Sequence, residues 1–411
     1  MKIAIIVPGR FDAFGLAQAL TQQGHKVGLF TNYPKWAVRR FGVCPTLVRS
    51  FWLHGVFSRI AWFLRTKINF PYPEAWLSRM FGNWSAQAVT KTSWDIVLCW
   101  SGVSEEILSA LRNTKTLKIV MRGSSHIRTQ ARILREEARQ YNIPINYPSQ
   151  WIIGREEREY ALTDYIRVLS TFAYNSFVDE GIQPQKLLLI PSAVSVRDFR
   201  PSQEIIKARC LRIENGAPLR ILYVGAISFR KGIKDMVTVI SALNPERFRY
   251  RFVGPEEVVG AKETRRALKE LRHRADIIPK RPQHQLPKYY AWADLFIFPT
   301  LEDGFAVVLA QAQAAGLPII ATANCAAPDI IIEGKTGWVV PIRTPEAFIE
   351  RLKWCDSQRK QLVRMVNDVY EKFQQKDWSD IAKEFARRCQ ELIRKHKLKR
   401  IGHLLLYSKD K

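Results

Sequence analysis

The feature that most constrains the fold is a pattern that begins twice. Residues 3–7 form a continuous apolar run, closed by Pro8-Gly9-Arg10. Phe14, Leu16, Ala17 and Leu20 follow at helical spacing, Gly24 stops that helix, and residues 26–30 read as the next strand. A run without polar alternation suits a strand covered on both faces, as in parallel sheets. Residues 94–100 (strand), 105–111 (helix), 117–121 (strand) and 165–169 (strand) continue the alternation. Between 196 and 218 the apolar content thins and Asp198, Pro201, Asn215, Gly216 and Pro218 punctuate the chain. The pattern then restarts. Residues 219–224 are a strand, Gly225 a turn and 231–243 a helix, with further strands at 249–253, 295–298 and 319–321. This predicts an α/β chain of two doubly wound, Rossmann-like halves. From Trp378 a helix is expected, with Ile381, Phe385, Cys389 and Leu392 on one face. The expected domains are 1–200, 201–377 and a terminal helix with a basic tail over 378–411. Two units of about 200 residues suit the 411-residue length.

Charge narrows the partners. Sixty-four Lys and Arg against 38 Asp and Glu give +26, while 47% apolar content excludes a disordered basic tail. Such a chain meets something acidic: nucleic acid, an anionic membrane or a phosphorylated ligand. Residues 36–81 concentrate the signal, with seven Lys or Arg, one acid (Glu74) and eleven aromatics. Rings with interleaved cations suit a bilayer surface. A packed helical excursion of the first domain is the competing reading. The six cysteines show no Cys-x-x-Cys pair and no His at zinc spacing, so reduced thiols and no metal are expected. The first apolar run is too short for a signal peptide, and no run of about 18 apolar residues exists to span a bilayer. A cytoplasmic protein, peripheral at the inner face of the membrane, is therefore expected.

The second half carries the informative chemistry. Val224-Gly225-Ala226 runs to Arg230-Lys231-Gly232 at the start of a helix. A helix N-terminus attracts anions, and two cations there make a cradle for a diphosphate. About 70 residues on, Pro299-Thr300-Leu301-Glu302-Asp303-Gly304-Phe305-Ala306 leads from a strand into a helix bearing Gln311 and ending at Gly316 and Pro318. Ligands of open α/β sheets bind beyond the carboxyl ends of the strands, where both loops should lie.

These segments resemble the retaining glycosyltransferases of the GT-B fold, glycosyltransferase family 4 (the group 1 glycosyltransferases). That family's signature is an acid, Gly-Phe-Gly-type residues and a second Glu, ending in Gly-x-Pro. Asp303 and Gln311 stand at the two acidic positions, eight residues apart. The family's Val-Gly-Arg…Lys-Gly loop is matched by Val224-Gly225-Ala226…Lys231-Gly232. Gly9 with Arg10 resembles the N-terminal glycine loop. Arg155, Glu156, Glu159 and Tyr160 resemble the helix before the last strand of the first domain. The resemblance implies transfer of a sugar from a nucleoside diphosphate sugar, a co-substrate rather than a cofactor, with retention and without a metal. It implies an interdomain cleft, with acceptor on the N-terminal side, and a final helix crossing back to the first domain. Lys231 and Arg230 would hold the diphosphate, with Gly225 and Gly9 allowing close approach. Asp303 would accept from donor-sugar hydroxyls and Gln311 from the ribose. The N–H groups of Gly304, Phe305 and Ala306 would reach the phosphates. His126, in Arg122-Gly123-Ser124-Ser125-His126, would face the reacting sugar, a helix-cap role being the alternative. The acceptor would be a glycan or lipid-linked glycan of a bacterial surface polysaccharide or glycolipid.

Two departures keep other readings open. Gln311 lacks the family's charge, and Ala226 removes a phosphate cation that only Arg230 could replace. A non-catalytic, sugar-nucleotide-binding relative is one alternative. A basic nucleic-acid-binding protein is another, although no such module signature is present. A sugar-nucleotide epimerase of the same fold ranks below these. Gly9 to Gly15 lacks Gly-x-Gly-x-x-Gly, and no acid follows about 20 residues later, which argues against a nicotinamide dehydrogenase.

Overall fold

The computed structural model describes residues 1–68, 70–193, 196–257, 261–373 and 376–407. Two parallel sheets form the frame. The first holds β1 (Lys2–Val7), β2 (Lys26–Thr31), β3 (Val48–Ser50), β4 (Ile96–Trp100), β5 (Leu117–Met121), β6 (Tyr165–Val168) and β7 (Leu187–Leu189) in the order β3-β2-β1-β4-β5-β6-β7. The second holds β8 (Leu219–Val224), β9 (Phe248–Val253), β10 (Ala275–Ile278), β11 (Leu295–Phe298), β12 (Ile319–Thr322) and β13 (Gly337–Val340) in the order β10-β9-β8-β11-β12-β13. All pairings are parallel, as runs such as Ile3–Val7, fully buried, require. Each sheet reverses its winding once, at β1/β4 and at β8/β11. The two switch points face each other across the domain junction.

Each sheet has its own apolar core, and each core borrows from the other half. Leu134 and Ile145 of the first domain join the second core, while Phe305, Ala310 and Ala326 join the first. The final helix, Trp378–Tyr407, crosses back as expected. Its Ile381, Phe385 and Cys389 are buried in the first core. Trp378 fills the space over Gly15, where a side chain on that residue would collide with the indole. The tail's last residues, 408–411, lie outside the described residues, as do the side chains from 396 on.

Three details differ from the sequence reading. The thinned stretch over 196–218 contains a helix, Gln203–Glu214, whose Ile206, Arg209 and Ile213 are buried. Only this narrow face packs, and Ile205 and Leu211 on the other side are exposed. Arg209 donates to the carbonyls of Tyr290, Ala315 and Gly316, closing two helix ends. The strands β3, β7, β10 and β13 were not anticipated, being three or four residues at sheet edges. Finally, the helix Gln150–Leu162 precedes β6, and β7 follows as the last strand of that sheet.

Candidate active site at the domain junction

A crevice of about 370 Å³ opens where the two switch points meet. Phe11, Asp12, Trp100, Met121 and Gly123 line it from loops after β1, β4 and β5. Gly225, Ala226, Lys231, Phe298, Asp303 and Phe305 line it from loops after β8 and β11.

Lys231 is the cation that enters it. The residue after it, Gly232, has φ 75° and caps the helix Ile233–Ala242. A side chain at 232 would also strike the carbonyl of Pro299, so only glycine fits. This tight turn pins the Lys231 backbone against the β11 loop. Its Nζ lies 2.5 Å from Asp303 Oδ2, 3.2 Å from the Glu302 carbonyl and 3.4 Å from Thr300 Oγ1. Burial pulls the Lys231 pKa below its ordinary value, and Asp303 opposes that pull. Burial alone would raise Asp303, but Lys231 and Arg230 hold it below the usual carboxylate range.

Asp303 also organises its own loop. Its Oδ1 accepts from the N–H groups of Phe305 (3.1 Å) and Ala306 (2.8 Å). Those two N–H groups, expected to face a phosphate, are engaged by the carboxylate instead. Ala306 takes a left-handed conformation, φ 62°, at the cap of the helix Val307–Ala314.

Arg230 is turned away from the crevice. It pairs with Glu302, Nη2 to Oε2 at 2.9 Å, and reaches Ser124 Oγ at 3.4 Å. Glu302 is fully buried and is the centre of a polar clasp between the domains. It accepts from Ser124 Oγ (2.5 Å), from the N–H and Oγ of Ser125 (2.9 Å each) and from Gln130 Nε2 (3.0 Å). Burial would raise its pKa, but Arg230 and these hydrogen bonds hold it far below the ordinary range. Beside it, Gly304 comes so close to the Gly123 carbonyl that a side chain would force the domains apart.

The remaining expected site residues sit elsewhere. His126 is 3% exposed and caps the helix Ile127–Tyr141, its Nδ1 accepting from the Arg128 N–H at 3.3 Å. Its ring packs on Tyr160 and Phe177, with centroids 5.2 and 4.9 Å away. Burial, then the nearby Arg122, push its pKa down to about 4. The cap role is the one observed, and the imidazole does not line the crevice, although Gly123 of the same loop does. Gln311 is buried, and its Oε1 accepts from Tyr290 OH at 2.8 Å. Gly9 accepts from Thr31 Oγ1 through its carbonyl and lies under the Phe11 ring.

Four further residues shape the site without a local motif to mark them. Phe11, at φ 40° and 67% exposed, stacks on Trp100 at 6.5 Å as an aromatic wall. Asp12 is half-buried and pairs with Arg167 at 3.2 Å. Glu302 stood beside the motif, but its role depends on a loop 178 residues away in sequence. Among the described residues no group of three His, Cys, Asp or Glu is placed to hold a metal ion.

The architecture is the GT-B fold. A solved structure from Anabaena, Alr3699/HepE in complex with UDP, superposes with a TM-score of 0.68 at 14% identity, covering 95% of this chain and 100% of that one. The structure of WaaG, a glycosyltransferase involved in lipopolysaccharide biosynthesis, superposes with a TM-score of 0.61 at 16% identity, covering 93% and 98%. Residues 212–372, in the C-terminal domain, match the family described as glycosyl transferases group 1. Among curated relatives, a D-inositol 3-phosphate glycosyltransferase of Corynebacterium glutamicum is 25% identical over 214 residues, 49% of this chain and 51% of that protein. The amylovoran biosynthesis glycosyltransferase AmsK of Erwinia amylovora is 27% identical over 132 residues, 30% and 32%. The chain thus spans about a third to a half of the length of these relatives.

Proposed function

We propose that the protein is a retaining, metal-independent glycosyltransferase. It would move a sugar from a nucleoside diphosphate sugar to a glycan or lipid-linked acceptor, in synthesis of a bacterial surface polysaccharide or glycolipid. The observation that carries this reading is the half-buried pair of Lys231 and Asp303 on the wall of a crevice between two switch points. A cation at that point neutralises charge developing on a leaving diphosphate, in a water-poor site where such stabilisation is strongest. Asp303, kept ionised, can accept from a sugar hydroxyl while its other oxygen holds the loop. Arg230 can supply a second charge if a diphosphate draws it from Glu302. The relative HepE is described in complex with UDP and with UDP-glucose, which supports a donor of this class. Retention rests on the family resemblance.

The acceptor side would be the first domain, and that domain would rest on an anionic membrane. The helix Trp52–Ile68 buries only His54, Gly55 and Ala61. Trp52, Phe57, Ile60, Trp62 and Phe63 stand 43–58% exposed among Arg59, Arg65 and Lys67. Packing therefore accounts for little of this segment, and rings with cations suit a headgroup layer. No described helix is long and apolar enough to cross a membrane.

Thermal-shift titration with nucleoside diphosphates tests the reading. A ligand at 100 times its dissociation constant adds about 2.7 kcal/mol. UDP, GDP and ADP should differ in the shift they give. No shift with any nucleoside diphosphate or diphosphate sugar would remove the donor site. Product stereochemistry, read by the anomeric proton coupling, decides retention, and EDTA leaves the rate unchanged if no metal takes part.

A further inference from the structure

We propose that a groove between the helices Ile127–Tyr141 and Gln150–Leu162 binds an acidic sugar chain, one bearing carboxylates or phosphates. As the acceptor of the transfer, it rests on the function proposed above. The groove has about 750 Å³ of space, twice that of the crevice. Arg128, Arg132, Arg135 and Arg139 line it from one helix. Their spacing of four, three and four residues puts them on one face.

Four cations on one stripe repel each other, a cost that the free protein carries. The groove's acids offset them only in part, Arg128 being the one of the four that has a carboxylate partner among the described residues. Glu157 is engaged by Arg128 at 2.9 Å, Glu136 by Arg343 at 3.3 Å, and Glu180 accepts from Thr129 at 3.0 Å. Arg135 lies over the Tyr147 ring at 5.4 Å. Arg132 and Arg139 are exposed and have no carboxylate partner among the described residues. Two further donors therefore point into a concave space with nothing to bind.

The opposite wall gives an independent sign. Gly154 lies inside the helix Gln150–Leu162 and lines the groove. It has no positive φ, and a side chain there would meet only the end of Arg158 at 3.5 Å. Glycine weakens a helix interior, yet neither backbone conformation nor packing requires it here. What it provides is width between the walls.

The shape selects a chain over a surface. A bilayer meets flat or convex faces, and the exposed rings suited to it stand on the helix Trp52–Ile68 instead. Single-stranded nucleic acid needs free aromatic platforms. The rings near this groove are occupied, Tyr147 by Arg135 and Trp151 by Arg79 and Arg155. The site is also anchored where an acceptor would run. The helix Ile127–Tyr141 begins four residues after Gly123 of the crevice, and Arg343 of the second domain holds its far side through Glu137 and the Ile133 carbonyl.

The test uses the full chain and fluorescence anisotropy with labelled hexagalacturonate at low salt. Neutral maltohexaose and an oligonucleotide of equal charge are the competitors. Hexagalacturonate should bind, and maltohexaose should not displace it. The double variant Arg132→Glu/Arg139→Glu, or Gly154→Leu if the first fails to fold, should bind about tenfold more weakly or less. The thermal shift with UDP should be unchanged in either variant. Absent binding, unchanged binding in the variants, or tighter binding of the oligonucleotide would overturn the groove. The absence of a shift with every nucleoside diphosphate and diphosphate sugar in the wild-type protein would overturn the transfer reading alone, because hexagalacturonate binding is measured without donor.

Discussion

Ser124 of the first domain donates a 2.5 Å hydrogen bond to Glu302 of the second, across the domain junction. Glu302 is thereby a buried acid that Arg230 shares with Ser125 of the loop before the helix Ile127–Tyr141 and with Gln130 of that helix. Removing one partner of a buried charge pair costs roughly 3–5 kcal/mol. Arg230 is 32% exposed, so water recovers part of that. Glu302→Ala should therefore destabilise by about 2–4 kcal/mol, and Glu302→Gln by less, since most donors keep an acceptor. Urea unfolding measures both. A loss within 0.5 kcal/mol, about that of an ordinary surface change, would show that the clasp does not hold the domains.

Lys231 makes the sharpest functional prediction. Loss of a group that stabilises developing charge typically lowers kcat about 10²–10³-fold. Lys231→Ala should do so with the fold intact. Lys231→Arg should restore little, because a planar guanidinium cannot reproduce a point charge 2.5 Å from Asp303 among three oxygens. Steady-state rates with the donor identified by thermal shift decide this, and wild-type turnover in Lys231→Ala would remove the cradle.

How much of this was legible follows from the range of each interaction. The strands β1, β5, β8 and β11 announce themselves because burial on both faces writes a continuous apolar run. Lys231 and Asp303 were found because a turn and a helix start fix their local geometry. Arg230 carried the same local signal, yet it serves Glu302, because a buried acid across the junction outcompetes solvent. The N–H groups of Phe305 and Ala306 likewise went to the adjacent Asp303, a side-chain contact that spacing does not encode. Phe11 and Trp100 meet only after 89 residues of chain have folded, and no motif marks them.

His126 should make stability depend on pH. Its folded pKa of about 4 lies below the ordinary 6.5, so the unfolded chain takes up the proton first. The contribution is fully present above pH 6.5 and is lost as pH falls toward 4. It amounts to about 3 kcal/mol at most. Glu159, raised to about 8 by burial and then by Glu156, acts in the opposite direction over a higher window, so the wild-type profile alone is ambiguous. The difference between wild type and His126→Gln, by urea unfolding at pH 7 and 4.5, isolates the imidazole. Equal slopes would show that the ring is not buried neutral.

The exposed rings of the helix Trp52–Ile68 predict flotation with anionic vesicles. Each Arg near a charged bilayer contributes about 1 kcal/mol, screened by salt. Arg59→Glu/Trp62→Ser/Arg65→Glu should lose at least tenfold in partitioning to phosphatidylglycerol vesicles, while wild type binds phosphatidylcholine weakly. Equal partitioning of variant and wild type would make the segment an ordinary surface.

Gln311 offers a test of why this chain lacks a charge where the family signature has one. Its Oε1 accepts from Tyr290 OH, both residues are buried, and the Tyr290 ring packs against those of Phe199 and Phe296. A neutral amide there satisfies the hydroxyl without a desolvated charge. A carboxylate would keep the hydrogen bond but lose its hydration, so burial would raise its pKa. Gln311→Glu should then be close to wild type near pH 4, where the acid is protonated. It should lose stability as pH rises above about 4.3, where the unfolded chain ionises and the folded one does not. Gln311→Ala should instead lose about 1–3 kcal/mol at every pH, by leaving Tyr290 OH without its acceptor. Urea midpoints at pH 4.5 and 8 separate the two. If Gln311→Glu shows no added loss at pH 8, the side chain reaches solvent in the crevice, which is where a ribose hydroxyl would meet it.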